Sequence, residues 1–112
     1  MRLFGDVARA IRYLHEDMNI IHRDIKLDNI LYCPKTGRAK LTDFTVSQQL
    51  ANETQRLLNS EGTPAFTAPE CHVPDEEGGY LPKPTDIWSL GVCIFTFVSG
   101  RVPFYAESEI EM

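Results

Sequence analysis

The segment His22-Arg23-Asp24-Ile25-Lys26-Leu27-Asp28-Asn29 places a carboxylate, an ammonium two residues on and a carboxamide three further, and a second carboxylate, Asp43, follows beyond a turn-rich stretch. These types can take a proton from a hydroxyl, neutralise anionic oxygens and offer hard oxygen donors to a cation. Short apolar runs, Ile20-Ile21 and Ile30 to Tyr32, bound the segment, so its polar groups belong to a loop held between elements. Cysteine chemistry is not suggested, because no basic cluster stands beside Cys33, Cys71 or Cys93 in sequence. Their odd number, wide spacing and lack of a C-x-x-C pair also argue against a disulfide framework or a zinc site.

Residues 22–29 resemble the catalytic loop of the protein kinases. Phosphoryl transfer needs little covalent help, so the protein must orient the attacking hydroxyl, neutralise phosphate oxygens and hold magnesium. The resemblance assigns those tasks to Asp24, Lys26 and Asn29 in turn. Three more segments follow in the family's order. Leu41-Thr42-Asp43-Phe44 is similar to the magnesium-binding segment, and Gly62-Thr63-Pro64-Ala65-Phe66-Thr67-Ala68-Pro69-Glu70 closes on the family's Ala-Pro-Glu. Asp86-Ile87-Trp88-Ser89-Leu90-Gly91 opens a helix as the family's central helix does. One short motif arises by chance; four in order across most of the chain do not. Lys26 with Gly62-Thr63 looks like the Ser/Thr branch, and within it Asp43 to Ser47 and Gly62 to Glu70 resemble the calcium/calmodulin-dependent protein kinase kinases and related upstream activating kinases.

The resemblance implies an α+β, mainly helical, protein kinase-like fold, of which this chain is the central part of the C-terminal lobe. It implies a catalytic loop at 22–29, a magnesium segment at 43–45, an activation segment at 43–70 and a central helix at 86–99. Transfer of the ATP γ-phosphoryl group to a Ser or Thr hydroxyl of a protein is the implied reaction, with ATP and Mg2+ as cofactors and an upstream kinase as a further partner. Lys26, Asn29 and Asp43 would meet the cofactors, Asn29 and Asp43 holding the metal. No glycine-rich loop or V-A-I-K-like strand precedes the catalytic segment, and the chain stops before the lobe's last helices. The expectation is therefore an excerpt of a longer protein, favoured over a truncated gene product because both ends cut through recognisable elements, and inactive by itself. A pseudokinase or scaffold is the rival reading, opposed by retention of all four polar catalytic residues; a small-molecule phosphotransferase of kinase-like fold is opposed by the peptide-binding segments Gly62-Thr63-Pro64 and Ala68-Pro69-Glu70.

After Asp43-Phe44 the family has glycine, and this chain has Thr45. A β-branched residue resists the positive φ that glycine adopts freely, so Asp43 is expected to be less able to swing between metal-bound and withdrawn positions. Arg23 belongs to the class in which a basic residue receives a phosphate from the activation loop. Thr54 and Ser60 are the loop's acceptors, and Glu61 is a fixed charge able to stand in part for phosphate. Thr63 is read as structural and substrate-facing, and Phe66 and Pro69 as shaping a peptide-binding ledge. Asp86 is expected to hydrogen-bond the catalytic-loop backbone, and Glu70 to pair with an arginine this chain does not contain. His22 is assigned to packing against Phe44, His15 and His72 to the surface, Asp28 to a solvated loop and the cysteines to packing.

These groups need scaffolding that the remaining pattern supplies. Leu3, Val7, Ala10, Ile11 and Leu14 recur at three- and four-residue spacing, which predicts an amphipathic helix over 3–14. Strand-like runs at 30–32 and 39–41 flank Cys33-Pro34-Lys35-Thr36-Gly37-Arg38, which predicts a hairpin between the catalytic loop and Asp43. From Phe44 to Glu61 periodicity fades into Gln, Asn, Thr and Ser, as in a long functional loop. Thr85 is expected to cap a buried helix running to Val98 and ended by Ser99-Gly100, apolar nearly all round.

Composition sets the outer bounds. The 112 residues, 43% hydrophobic and 24% charged, suit one small globular domain with a modest core. Residues 1–50 carry eight Lys/Arg against six Asp/Glu, and residues 51–112 three against ten, so the net charge of -5 is concentrated in the second half. That acidity argues against nucleic acid as a partner. The longest apolar stretch, Ile87 to Val98, is interrupted by Ser89, Gly91 and Thr96 and is too short to span a bilayer. With no signal peptide in the pattern, a cytoplasmic location, or a nuclear one, is expected.

Overall fold

Val7, Ile11 and His15 stand four residues apart on one helical face, and all three are buried. They belong to α1 (Arg2–Arg12) and to the single wider helical turn Tyr13–Asp17 that continues it. The computed structural model describes residues 2–58, 62–71 and 78–101. Asp6 lies on the inner side of α1 and not on its solvated face: its carboxylate accepts from Arg38 Nε at 3.0 Å and the Ala39 amide at 2.9 Å, and also pairs with Arg9. These bonds, the Ala39 amide foremost and Arg38 next, hold its pKa down at about 2.

The predicted hairpin is present as β2 (Ile30–Cys33) and β3 (Arg38–Leu41), antiparallel, with Ile30 opposite Leu41 and Cys33 opposite Arg38. Gly37 closes its turn at φ 70, a conformation open to glycine at little cost, with its amide on the Cys33 carbonyl at 2.8 Å. A second ribbon was not legible in the sequence. β1 (Ile20–Ile21) pairs antiparallel with Gln48–Gln49, here β4, inside the stretch that reads as a loop. Two glutamines carry no alternating apolar signal, so this pairing rests on its surroundings. Ile21 is fully buried with Leu50, Leu57 and Tyr80, and Asn19 exchanges bonds with Leu50 just beyond the strands.

The polar loop is tied down again further on. Leu57 and Tyr80 exchange both backbone hydrogen bonds at 2.9 Å, and Arg56 donates to the Gly79 carbonyl at 2.7 Å. Gly79 has φ 114, and a Cβ there would collide with the Leu57 carbonyl, so the contact requires glycine.

α2 (Pro82–Ser99) starts earlier than expected, with proline in its first turn, where the missing N–H costs nothing. Thr85 is therefore not its cap: the hydroxyl lies one turn inside and donates back to the Pro82 carbonyl. The helix ends as predicted, at Gly100 with φ 79 and its amide on the Thr96 carbonyl. Burial is one-sided. Pro82, Thr85, Asp86, Ser89, Val92 and Cys93 are buried, while Ile87, Ile94, Phe95, Phe97 and Val98 are exposed among the described residues. Phe97 still meets Phe4 edge-on, with ring centroids 5.4 Å apart.

Phe4, Val7, Ile11, Ile25 and Cys93 form the first core, which joins α1, the loop 22–29 and α2. The second, Ile21, Leu50, Leu57 and Tyr80, lies under the polar loop. No helix among the described residues is long and apolar enough to cross a membrane.

Candidate functional site

Asp86, fully buried near the start of α2, organises the site from below. Its Oδ2 accepts the His22 amide at 2.8 Å and its Oδ1 the Arg23 amide at 3.0 Å, as the sequence predicts for this residue. His15 Nε2 also lies 2.8 Å from Oδ2. His15 is only 7% exposed, so the surface position expected for it is wrong. The signal was available in the four-residue step from Val7 through Ile11. Arg23, anchored by its amide, adopts φ 73, a left-handed conformation costly to a residue with a side chain, and its Nε donates to the Val46 carbonyl at 2.8 Å.

His22 has a structural role. Its Nδ1 accepts the Asp24 amide at 3.1 Å, which leaves the ring proton on Nε2, and Nε2 donates to the Thr42 carbonyl at 2.8 Å. The ring meets Phe44 edge-on at 4.9 Å, in agreement with the packing role assigned to it. A buried imidazole with both nitrogens committed is a spacer between the catalytic loop and the Asp43 segment.

Above it the polar groups converge. Lys26 Nζ donates to Thr63 Oγ1 at 3.0 Å, that hydroxyl donates to Asp24 Oδ1 at 3.2 Å, and Lys26 Nζ lies 4.0 Å from Asp24 Oδ2. Asn29 Nδ2 donates to the Asp24 carbonyl at 2.7 Å and reaches Asp24 Oδ2 at 3.4 Å. Thr63 is thus a bridge between the Asp24 carboxylate and the Lys26 ammonium, a role its sequence position does not reveal. Gly62 makes this approach possible, since a Cβ there would stand 2.6 Å from the Arg23 carbonyl oxygen. Thr42 then bonds the Asn29 carbonyl through its amide at 2.8 Å and its hydroxyl at 3.1 Å, which fixes where the next residue, Asp43, begins.

Asp43 is exposed and itself takes the left-handed conformation, φ 59. Thr45 does not, so the conformational conflict expected from losing glycine at 45 does not arise here. Instead Thr45 bonds Asp43 Oδ1 through its hydroxyl at 2.6 Å and its amide at 3.3 Å. The hydroxyl bond first, then the amide bond, lowers the Asp43 pKa, and the charge of Lys26 adds to the effect.

The remaining predicted site residues divide. Phe66 sits in a short 3-10 turn, Pro64–Phe66, with its ring packed half-buried on the first core and its carbonyl accepting from Ser89 Oγ at 2.6 Å. It shapes the segment from beneath and does not stand free as a ledge. Pro69, Glu70 and Asp28 are exposed. Thr54 is exposed, its amide and hydroxyl both on Asn52 Oδ1 within one turn. Ser60, Glu61 and His72 lie outside the described residues. Cys93 is buried with its pKa pushed up to about 12, and Cys71 is raised to about 11, by burial first in each case. Cys33 is exposed on the hairpin, contrary to its assignment as a packing residue, and bonds from Thr36 lower its pKa.

Among the described residues no three His, Cys, Asp or Glu cluster as a metal cage. Asn29 spends its amide nitrogen on Asp24, leaving its carboxamide oxygen as acceptor, and Asp43 adds a carboxylate. Two hard oxygen donors fit Mg2+, which takes most of its ligands from phosphate and water, and do not fit a softer metal.

Asp24 and Lys26 are thus tied through the Thr63 hydroxyl, and Asn29 bonds the same aspartate. The chain belongs to the protein kinase domain family, which it matches over residues 1–112. It is 41% identical over 103 residues to Serine/threonine-protein kinase GRIK1 of Arabidopsis thaliana, covering 92% of this chain and 25% of that protein. Serine/threonine-protein kinase 40 of Homo sapiens is 39% identical and that of Bos taurus 38%, each over 103 residues, 92% of this chain and 23% of the relative. The chain thus spans about a quarter of the length of these curated relatives.

Proposed function

We propose that the protein containing these residues is a Ser/Thr protein kinase that transfers the γ-phosphoryl group of ATP to a Ser or Thr hydroxyl of a protein substrate. The observation that supports this most directly is the Asp24–Thr63–Lys26 chain of contacts, with Asn29 bonded to the same aspartate. In the reaction the substrate oxygen bonds to the γ-phosphorus as the bridging bond to ADP breaks, and Asp24 accepts the hydroxyl proton. Lys26 neutralises charge on the phosphoryl oxygens, and Thr63 keeps it beside Asp24. Asn29 and Asp43 would hold Mg2+, which supplies charge neutralisation at the phosphates. The Ser/Thr kinases among the relatives support the Ser/Thr preference. Asp43 to Ser47 and Gly62 to Glu70 support a place among kinases related to the calcium/calmodulin-dependent protein kinase kinases, acting in the cytoplasm or nucleus. Regulation would run through Arg23 as the phosphate-receiving residue, with Thr54 or Ser60 as acceptors of an upstream kinase and Glu61 as a fixed charge.

The test is phosphotransfer to protein by the full-length protein. Asp24→Asn is expected to lower kcat by about 10²–10⁴-fold with the fold intact. Equal turnover by wild type and Asp24→Asn would sink the reading and favour the scaffold.

A further inference from the structure

Where the family has glycine, this chain puts a hydroxyl on the carboxylate read as the cation ligand. Thr45 Oγ1 and the Thr45 amide both donate to Oδ1 of Asp43, at 2.6 and 3.3 Å. Among the described residues nothing donates to Oδ2. The turn that presents them is itself fixed: Ser47 bonds the Phe44 carbonyl through its hydroxyl at 2.7 Å and its amide at 3.0 Å, and the Phe44 ring rests on the buried His22. Asp43 has the left-handed backbone, and its exposed carboxylate would otherwise rotate about its χ angles.

We infer that Thr45 is a positioning residue for Asp43: its hydroxyl fixes the carboxylate through Oδ1 and leaves Oδ2 as the oxygen offered to a divalent cation. This rests on the proposed reading of Asp43 as a cation ligand and adds a side chain to it. Donors behind a ligating carboxylate orient it, and their loss costs about 10–100-fold in metal affinity. A glycine at 45 supplies only the amide, at the longer distance. Thr45 therefore offsets by side-chain chemistry what it gives up in backbone freedom.

The experiment measures Mn2+ bound by full-length protein in the presence of a non-hydrolysable ATP analogue, from the loss of the free-ion paramagnetic resonance signal. Thr45→Val keeps the shape and removes the hydroxyl; Thr45→Ser keeps the hydroxyl. Valine is expected to weaken Mn2+ binding about 10-fold and serine to stay within about 2-fold of wild type. Affinity for the analogue measured without divalent cation should be the same in all three. Unchanged or tighter Mn2+ binding by the valine variant overturns the inference, the tighter result meaning that the hydroxyl competes with the cation. Asp43→Asn separates the two layers. If it loses Mn2+ while valine does not, only the role of Thr45 fails; if Asp43→Asn also binds as wild type, the reading of Asp43 fails with it.

Discussion

His15 Nε2 lies 2.8 Å from Asp86 Oδ2, joining the wider turn after α1 to α2 across seventy-one residues of chain. The same carboxylate holds the His22 and Arg23 amides, so its loss leaves three groups without their partner, and loss of His15 removes only one of the bonds. Asp86→Ala is expected to cost about 3 kcal/mol and His15→Ala about half of that. Urea unfolding of the full-length protein and of the double variant checks this, and a sum of single effects larger than the double is expected. Equal costs for the two single variants would mean that the loop amides find other partners.

Thr63 joins base and ammonium, so its hydroxyl should matter to rate more than to folding. Thr63→Ala is expected to lower kcat about 10-fold and Thr63→Ser to restore most of it, because the hydroxyl and not the methyl makes both bonds. Steady-state phosphotransfer to a peptide, with unfolding midpoints measured alongside, distinguishes this from simple destabilisation.

Asp6 fastens α1 to β3, and its pKa is depressed to about 2 from 3.8. A depressed carboxylate contributes its stability fully above the unfolded value and loses it as pH falls toward the folded one. Asp6→Asn should therefore be less stable than wild type at pH 7, with the gap narrowing between about pH 4 and pH 2. A pH series of denaturant midpoints reads this directly; a gap that widens in acid would contradict it.

Gly79 lets Leu57 and Tyr80 close their paired backbone bonds. Gly79→Ala is expected to open that latch, with amide exchange at Leu57 and Tyr80 accelerating about 10-fold or more while exchange in α1 stays unchanged. Faster exchange throughout would point to global destabilisation instead.

The cysteines should separate by reactivity. Exposed Cys33, with its lowered pKa, is expected to alkylate first, and Cys71 and Cys93 only on unfolding. Mass spectrometry after brief iodoacetamide treatment of the native protein measures the order.

What was legible in the sequence was what local pattern encodes. The helix over 3–14, the hairpin about Gly37 and the glycine stop at 100 all follow from periodicity or from a single residue's conformational needs. The contacts of Asp86 with the catalytic loop and of His22 with Phe44 were also legible, through the resemblance. The pairing of Ile20-Ile21 with two glutamines was not, because burial of Ile21 under a distant Leu57 and Tyr80 decides it. His15 looked like a surface residue because its partner, Asp86, is far away in sequence, and the bonds of Asp6 to Arg38 and Ala39 were hidden for the same reason. At Thr45 the sequence points to a backbone conflict that the chain does not have, and local pattern does not encode the hydroxyl's reach to Asp43.

The position of Asp86 also bears on how the protein emerges during synthesis. The amide of His22 waits for an acceptor sixty-four residues later, and the Phe66 carbonyl waits for Ser89. Translation at about 5–20 residues per second leaves the reactive loop unanchored for several seconds after it is made. Throughout that interval the amides of His22 and Arg23 lack the carboxylate that fixes them in the finished fold. The order of translation thereby places the loop's buried anchor, on α2, long after the loop it holds.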